Sequence, residues 1–136
     1  MPPNGSNTLD LNQITVPCTN YDQSVAFYKT LGLTHIVHSP PRYARFETSA
    51  GTTFSLHSGE AATSNIVIYF EVDDVDAEVE RLKASGIEFE TEPTDQEWLW
   101  REAYLLDPAG NRVCIYHAGK NRRFPSWRIQ SQDDIL

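Results

Sequence analysis

The stretch Arg101-Glu102-Ala103-Tyr104-Leu105-Leu106-Asp107-Pro108-Ala109-Gly110-Asn111-Arg112-Val113-Cys114-Ile115-Tyr116-His117 decides how the rest of the chain is read. Two short apolar runs flank a turn in which each residue has a conformational reason to be there. Pro108 presets φ at the second position of a type I turn opened by Asp107, and Gly110 can take the left-handed conformation from which a second strand starts. The spacing predicts a β-hairpin. Its strands carry apolar residues at both parities, Ala103 and Leu105 against Tyr104 and Leu106, then Val113 and Ile115 against Cys114 and Tyr116. A sheet patterned in this way is covered on both faces.

Upstream of the hairpin, Ile66 to Val72 reads as a strand, Asp73-Asp74 as a helix N-cap, and Val75, Val79 and Leu82 as one helical stripe ending at Gly86. Ile87 to Glu90 then reads as a strand and Thr91 to Glu97 as a polar loop. The first half runs in the same order. Leu11 to Val16 alternates and is rich in β-formers, Pro17 to Tyr21 breaks it, and Asp22 to Leu31 reads as a helix, with Val25, Tyr28 and Leu31 at helical spacing and Gly32 at its end. Leu33 to His38, Tyr43 to Glu47 and Thr52 to His57 follow as strands, separated by turns at Ser39-Pro40-Pro41 and Ser49-Ala50-Gly51. Superposing Gly32 on Gly86 puts Val25 on Val79, Tyr28 on Leu82 and Gln13 on Val67, so one β-α-β-β-β unit is used twice. Neither half, at about 55 residues, buries enough surface alone, so the two sheets are expected to curl together or to pair across a dimer.

The chain has 136 residues, 40% of them hydrophobic, which suits one domain with a real core. A net charge of −8 would repel a phosphate backbone, which argues against nucleic acid as a partner. No segment approaches the ~18 to 20 apolar residues that span a bilayer. Met1 to Asn7 has neither a basic start nor an apolar run, so a soluble, cytoplasmic protein with no membrane partner is expected. Cys18 and Cys114 lie far apart without CxxC spacing, which indicates neither a disulfide framework nor a zinc knuckle. The tail from Lys120, with Arg122, Arg123, Phe124, Trp127, Arg128 and Ile129, is basic and aromatic. It is expected to pack as an extended arm on the acidic sheet or on a neighbouring subunit.

Three motifs, W-x-x-R-E-x-x-x-x-D-P-x-G-N from Trp98 to Asn111, S-x-x-F-Y-x-x-L-G-L from Ser24 to Leu33 and F-x-V-D-D-V from Phe70 to Val75, occur in order around this duplication. Together they resemble the signatures of the vicinal oxygen chelate superfamily, which includes glyoxalase I, extradiol dioxygenases, fosfomycin-modifying enzymes and bleomycin resistance proteins. The resemblance implies an α+β fold in a single domain over residues 1–136, with unit one at about 9–58, unit two at about 65–117 and a C-terminal arm at 118–136. The two tandem β-α-β-β-β units would form a curved eight-stranded mixed sheet around a cleft, in a homodimer. In bleomycin-resistance-like proteins a tryptophan at the place of Trp98 lies near the ligand groove. Where the family commonly has W-G-x-R-E, this chain has Trp98-Leu99-Trp100-Arg101-Glu102, and the Trp pair suits dimer packing as well as ligand contact. Arg101 and Glu102 read as a charge pair anchoring the hairpin.

In metal-binding members the four ligands come from equivalent inward positions on the first and last strands of each unit, which the resemblance carries to Gln13, Ser55, Val67 and Cys114. Only Gln13 is a ligand type the family uses. Val67 cannot coordinate, and the neutral hydroxyl of Ser55 offers no charge to offset dehydration of a divalent ion, so no metal and no other cofactor is expected. A rearranged soft zinc set of Gln13, His57 and Cys114 is the alternative, because His57 shares the face of Ser55 by strand alternation. Against it, Cys114 reads as a small buried hydrophobe and His57 as a histidine hydrogen-bonded at the cleft rim. The inward face then presents Gln13, Thr15, Ser55, His57, Val67, Tyr69, Cys114 and Tyr116, joined by Trp98. Aromatic walls with a few hydrogen-bonding groups are the make-up of a small-molecule pocket. The leading expectation is a glyoxalase/bleomycin-resistance-like protein that binds a small organic molecule without the usual divalent metal. The alternatives are a lyase, isomerase or dioxygenase of the same superfamily, with a rearranged metal site or His57 as base, and a non-catalytic assembly protein.

Overall fold

The computed structural model describes residues 10–130. The lead before Asp10 and the end of the tail, from Ser131, lie outside the described residues. The chain divides after Ala62 into two compact units. In the first, β1 (Gln13–Cys18), α1 (Tyr21–Leu31), β2 (Thr34–Ser39), β3 (Tyr43–Glu47) and β4 (Thr53–Ser58) make a sheet in the order β1-β4-β3-β2. The second has β5 (Val67–Glu71), α2 (Val75–Ala84), β6 (Thr94–Asp95), β7 (Arg101–Leu106) and β8 (Arg112–His117), in the order β5-β8-β7-β6. In each sheet the first and last strands of the unit run parallel and the remaining neighbours antiparallel. The fold is α+β, two tandem β-α-β-β-β units, with the eight strands hydrogen-bonded as two four-stranded mixed sheets. No helix among the described residues is long and apolar enough to cross a membrane.

The duplication extends to individual hydrogen bonds. Val67 opens β5 54 positions after Gln13 opens β1, and the N-caps Asn20 and Asp74 keep the same offset. Asn20 Oδ1 accepts the N–H of Gln23 at 3.0 Å and Asp74 Oδ1 that of Ala77 at 3.0 Å, each satisfying an orphan donor of a first helical turn. At the other end Gly32 (φ 113) and Gly86 (φ 93) take the left-handed conformation. Gly32 N bonds Lys29 O and Leu33 N bonds Tyr28 O, and Gly86 and Ile87 repeat the pattern on Lys83 and Leu82. From β3 onward the offset is 59, since Tyr43 and Thr53 correspond to Glu102 and Arg112 in the strand registers. The second unit therefore carries five additional residues between Ile87 and Glu102.

Those residues change the expected strand at Ile87 to Glu90. That segment is not a strand; β6 at Thr94–Asp95 is the paired element. Glu90 N and Thr91 N both reach Tyr104 O, but the N–H of Tyr104 is taken by the Thr91 hydroxyl at 2.9 Å rather than by a backbone carbonyl. Pro93, which has no N–H, follows, so the ladder resumes only at Thr94. Helix α1 also differs in its start and in the residues it buries most. It starts at Tyr21 and buries Tyr21, Ser24 and Tyr28, leaving Val25 and Leu31 half-buried. In α2 the stripe Val75, Val79 and Leu82 is buried as its spacing predicts.

Each sheet has one face under its helix. In the first, Tyr28 packs its ring on Phe54 at 4.5 Å and Phe46 at 6.0 Å, with Val16, Ala44 and Leu56 around them. In the second, α2 covers β7 and β8, and Ile68, Ala103, Leu105, Val113 and Ile115 are buried. The hairpin turn has the predicted form. Asp107 Oδ1 accepts from Ala109 N (2.9 Å) and Asn111 N (2.8 Å), Oδ2 accepts from Asn111 Nδ2 (2.6 Å), and Gly110 sits at φ 89. The tail corrects one expectation. Phe124, Trp127 and Ile129 are exposed, so the arm does not bury them on the chain's own sheet. Phe124 instead lies between the guanidinium groups of Arg123 and Arg128, 5.1 and 4.6 Å from its centroid.

Candidate functional site

The face of each sheet turned from its helix carries the polar and aromatic side chains, in rows fixed by strand register. Residues directly paired across strands share a face. In the first unit the rows are Gln13, Thr53 and Glu47; Thr15, Ser55 and Arg45; and Pro17, His57 and Tyr43. Ser55, with no exposed surface, is the hub. Gln13 Nε2 donates to Ser55 Oγ at 2.8 Å and to Thr15 Oγ1 at 3.1 Å, while the Thr53 hydroxyl donates to Gln13 Oε1. Tyr43 OH and Ser55 Oγ share a hydrogen bond of 2.7 Å, and Arg45 Nε donates to Tyr43 OH at 2.8 Å. Burial raises the Tyr43 pKa, but the bonds from Ser55 and Arg45 and the Arg45 charge outweigh it, leaving the phenol below its ordinary value. His57 shares the face as predicted, yet it is exposed and turns Nδ1 to Ser58 O at 3.0 Å. His35 and His38 lie on the helix side, stacked on Phe46 and bonded to Tyr21 OH respectively.

In the second unit the corresponding rows are Val67, Arg112 and Leu106; Tyr69, Cys114 and Tyr104; and Glu71, Tyr116 and Glu102. Tyr116 is buried and stacks on Trp100 at 4.8 Å, and Tyr69 meets both edge-on, at 5.4 Å from Tyr116 and 5.9 Å from Trp100. Trp100 is held by a bond from Nε1 to Asn121 O (3.2 Å). Leu99, at the usual glycine position, keeps a left-handed backbone at φ 68. Glu102 is a buried carboxyl that accepts from Trp98 Nε1 (3.1 Å) and Tyr104 OH (3.0 Å). The expected Arg101–Glu102 pair is therefore overturned. Successive strand residues face opposite ways, and Arg101 instead binds Asp76 and Asp95, at 2.8 and 3.0 Å. Glu71 accepts from Ala118 N and Gly119 N; burial raises its pKa, but these bonds and the charges of His117 and Arg122 leave it below the usual carboxylate value. Cys114 has no exposed surface, and burial, reinforced by the Glu102 charge, pushes its thiol up to about 12.

The predicted residues thus fall into two groups: Gln13, Thr15 and Ser55 in one hydrogen-bonded network with His57 beside it, and Val67, Tyr69, Cys114, Tyr116 and Trp98 on the second sheet's face or its edge. Tyr43, Arg45, Trp100, Glu102 and Tyr104 are additional members.

Residues 10–115 match the family model of the Glyoxalase/Bleomycin resistance protein/Dioxygenase superfamily. The chain belongs to this superfamily. It is 31% identical over 126 residues to the uncharacterized protein YraH of Bacillus subtilis (strain 168), the match covering 79% of this chain and 98% of that protein. A lactoylglutathione lyase from Agrobacterium tumefaciens has a similar fold, with a TM-score of 0.68 at 20% identity over 91% of this chain and 99% of its own. The bleomycin resistance determinant encoded on transposon Tn5 is similar at a TM-score of 0.66 and 20% identity, over 80% of this chain and 98% of its own. These two likenesses are likenesses of fold.

Metal-using members of the superfamily draw ligands from the positions of Gln13, Ser55, Val67 and Cys114, and the groups present do not fit a divalent ion. Val67 has no donor atom. Ser55 Oγ and both ends of the Gln13 amide are already hydrogen-bonded. Cys114, the one group that could become anionic, is held as a neutral thiol far above its ordinary pKa. Among the described residues no three His, Cys, Asp or Glu side chains are grouped so that they could hold an ion.

Proposed function

We propose that this protein binds a small organic molecule on the aromatic face of its second unit, without the divalent ion of its metal-using relatives, and that it works as a homodimer. The observation that carries the reading is the donor set. Across four ligand positions the chain offers an amide, a hydroxyl, an isopropyl group and a thiol pushed up to about 12, none of them an anionic donor at neutral pH. What replaces the ion is a set of rings, Tyr69, Trp98, Trp100 and Tyr116, beside a few oriented polar groups. Such walls suit a ligand with an apolar or aromatic body. Gln13, Thr15, Ser55 and His57 offer the first unit a hydrogen-bonding surface of its own. The lyase, isomerase and dioxygenase readings need an ion to stabilise an oxyanion or activate oxygen as in the metal-using members, and the four ligand positions carry no donor set suited to hold one. The exposed Phe124, Trp127 and Ile129 support a second copy as partner.

Metal analysis of protein purified without chelators tests the reading, with well under one equivalent of any transition metal expected after dialysis. Retention of about one equivalent, lost in His57→Ala, would replace it by the zinc set Gln13, His57 and Cys114. Light scattering that finds only a 15.4 kDa species at working concentration would remove the homodimer.

A further inference from the structure

Glu102 is 2% exposed, and among the described residues no cation forms an ion pair with it. Its neighbour Arg101 is committed to Asp76 and Asp95 on the other side of the strand, and Arg112 pairs with Glu90. The two bonds it accepts come from neutral donors, one on each oxygen: Tyr104 OH on Oε1 and Trp98 Nε1 on Oε2. A carboxylate oxygen has two lone pairs, so each keeps an acceptor direction beyond these bonds. An uncompensated buried carboxylate is costly to maintain, and a positive partner lowers that cost.

The rings bonded to this carboxylate are the ones that best receive such a partner. A ring whose N–H or O–H donates to an anion is polarised toward its face, and that face is where cations sit. Tyr104 already does this within the chain: the Arg112 guanidinium lies 4.9 Å from its centroid. Trp98 makes the same kind of bond to Glu102, is 44% exposed, and carries no cation on its ring among the described residues. Tyr69, equally exposed, projects from the row next to Glu102. Glu71 stands across Tyr116 from Glu102 in the same row, but it is taken by Arg122, His117 and the N–H groups of Ala118 and Gly119, which leaves Glu102, among the described residues, as the carboxylate without a cation here.

We infer that the aromatic face of the second unit selects organic cations, a protonated or quaternary ammonium group seated on the exposed rings of Trp98 and Tyr69 in the field of the uncompensated Glu102 carboxylate. The inference rests on the small-molecule reading above and names its ligand class.

Three matched probes separate the two claims: benzyltrimethylammonium, benzyl alcohol and benzenesulfonate, titrated into the full chain by tryptophan fluorescence and by amide chemical shifts around Tyr69, Trp98 and Tyr116. The cation is expected to bind about tenfold more tightly than the neutral probe, with a salt-sensitive Kd, and the sulfonate not to saturate. Glu102→Gln should reduce that preference to about twofold. Trp98→Leu and Tyr69→Leu alter exposed rings and carry the same test if Glu102→Gln does not fold. Equal binding of cation and neutral probe, or a preference that survives both Glu102→Gln and Trp98→Leu, overturns the cation inference and leaves small-molecule binding standing. Failure of all three probes to perturb this face removes both.

Discussion

Raising the pH from 8 to 10 should cost the folded protein about 1.4 kcal/mol through Cys114 alone. In the unfolded chain this thiol titrates near its ordinary value of 9.0, whereas in the fold burial, with the Glu102 charge behind it, pushes it up to about 12. A folded pKa above the unfolded one means the contribution is fully present below pH 9 and is lost as pH rises toward 12. One pH unit above the unfolded value, proton release favours the unfolded chain by RT ln 11, about 1.4 kcal/mol; at pH 8 the same expression is under about 0.1 kcal/mol. Urea unfolding of the native chain and of Cys114→Ala at both pH values isolates this contribution. The lost sulfur costs the variant about 1 kcal/mol at either pH, which cancels in the double difference. The buried Tyr21 is raised in both proteins and cancels, whereas Tyr104 and Tyr116, raised in part by the Cys114 charge, add to the double difference in the same direction. If the native chain and the variant lose stability equally between pH 8 and 10, Cys114 is not the shielded thiol described above. Rapid labelling of native Cys114 by a thiol reagent would refute the shielding equally.

Asp107→Ala removes a buried acceptor of three hydrogen bonds in the hairpin turn and should lower unfolding free energy by about 3 kcal/mol in urea; a loss under about 1 kcal/mol would mean that Pro108 and Gly110 hold the turn unaided. Asn20→Ala and Asp74→Ala should each cost about 1 kcal/mol and agree within about 0.5 kcal/mol, because the two caps make the same bond; a clear inequality would show that the two helix starts are not energetically equivalent. Leu99→Gly should raise stability by about 0.5 kcal/mol by relieving a left-handed backbone, whereas Leu99→Ala should not, and equal gains in both would trace the effect to the exposed leucine side chain.

The hairpin is legible in the sequence because Asp107, Pro108 and Gly110 each have one turn chemistry that suits them, and the duplication because the helix glycines fix a common register. Ser55 and Cys114 are placed by the family resemblance instead, because the offset from β3 onward is 59 and not the 54 that the glycines fix. What escapes the sequence depends on pairing. Arg45 reaches the Ser55 network only because β3 is registered so that Arg45 faces Ser55, and no periodicity within Tyr43 to Glu47 reveals that partner. Trp100 joins Tyr116 across a turn in which a leucine adopts a glycine conformation, which no propensity predicts. The position of Glu102 is recoverable: adjacent strand residues point to opposite faces, so pairing Arg101 with Glu102 breaks a rule that the sequence alone supplies. Taking Asp22 as the start of α1 leaves Tyr21 out of the buried face, where it stands with Ser24 and Tyr28.

The five residues that the second unit gains between Ile87 and Glu102 lie where the backbone ladder is thinnest, with only Thr94 and Asp95 paired. The same stretch supplies Trp98 and Trp100. Length can therefore change there without disturbing the parallel strands, the helix caps or the hairpin turn, which carry the fold. A descendant of this sequence could therefore reshape the Trp98 and Trp100 edge of the proposed ligand face by insertion or deletion in one short segment, while inheriting its folding determinants and the strand residues Tyr69, Glu102 and Tyr116 intact.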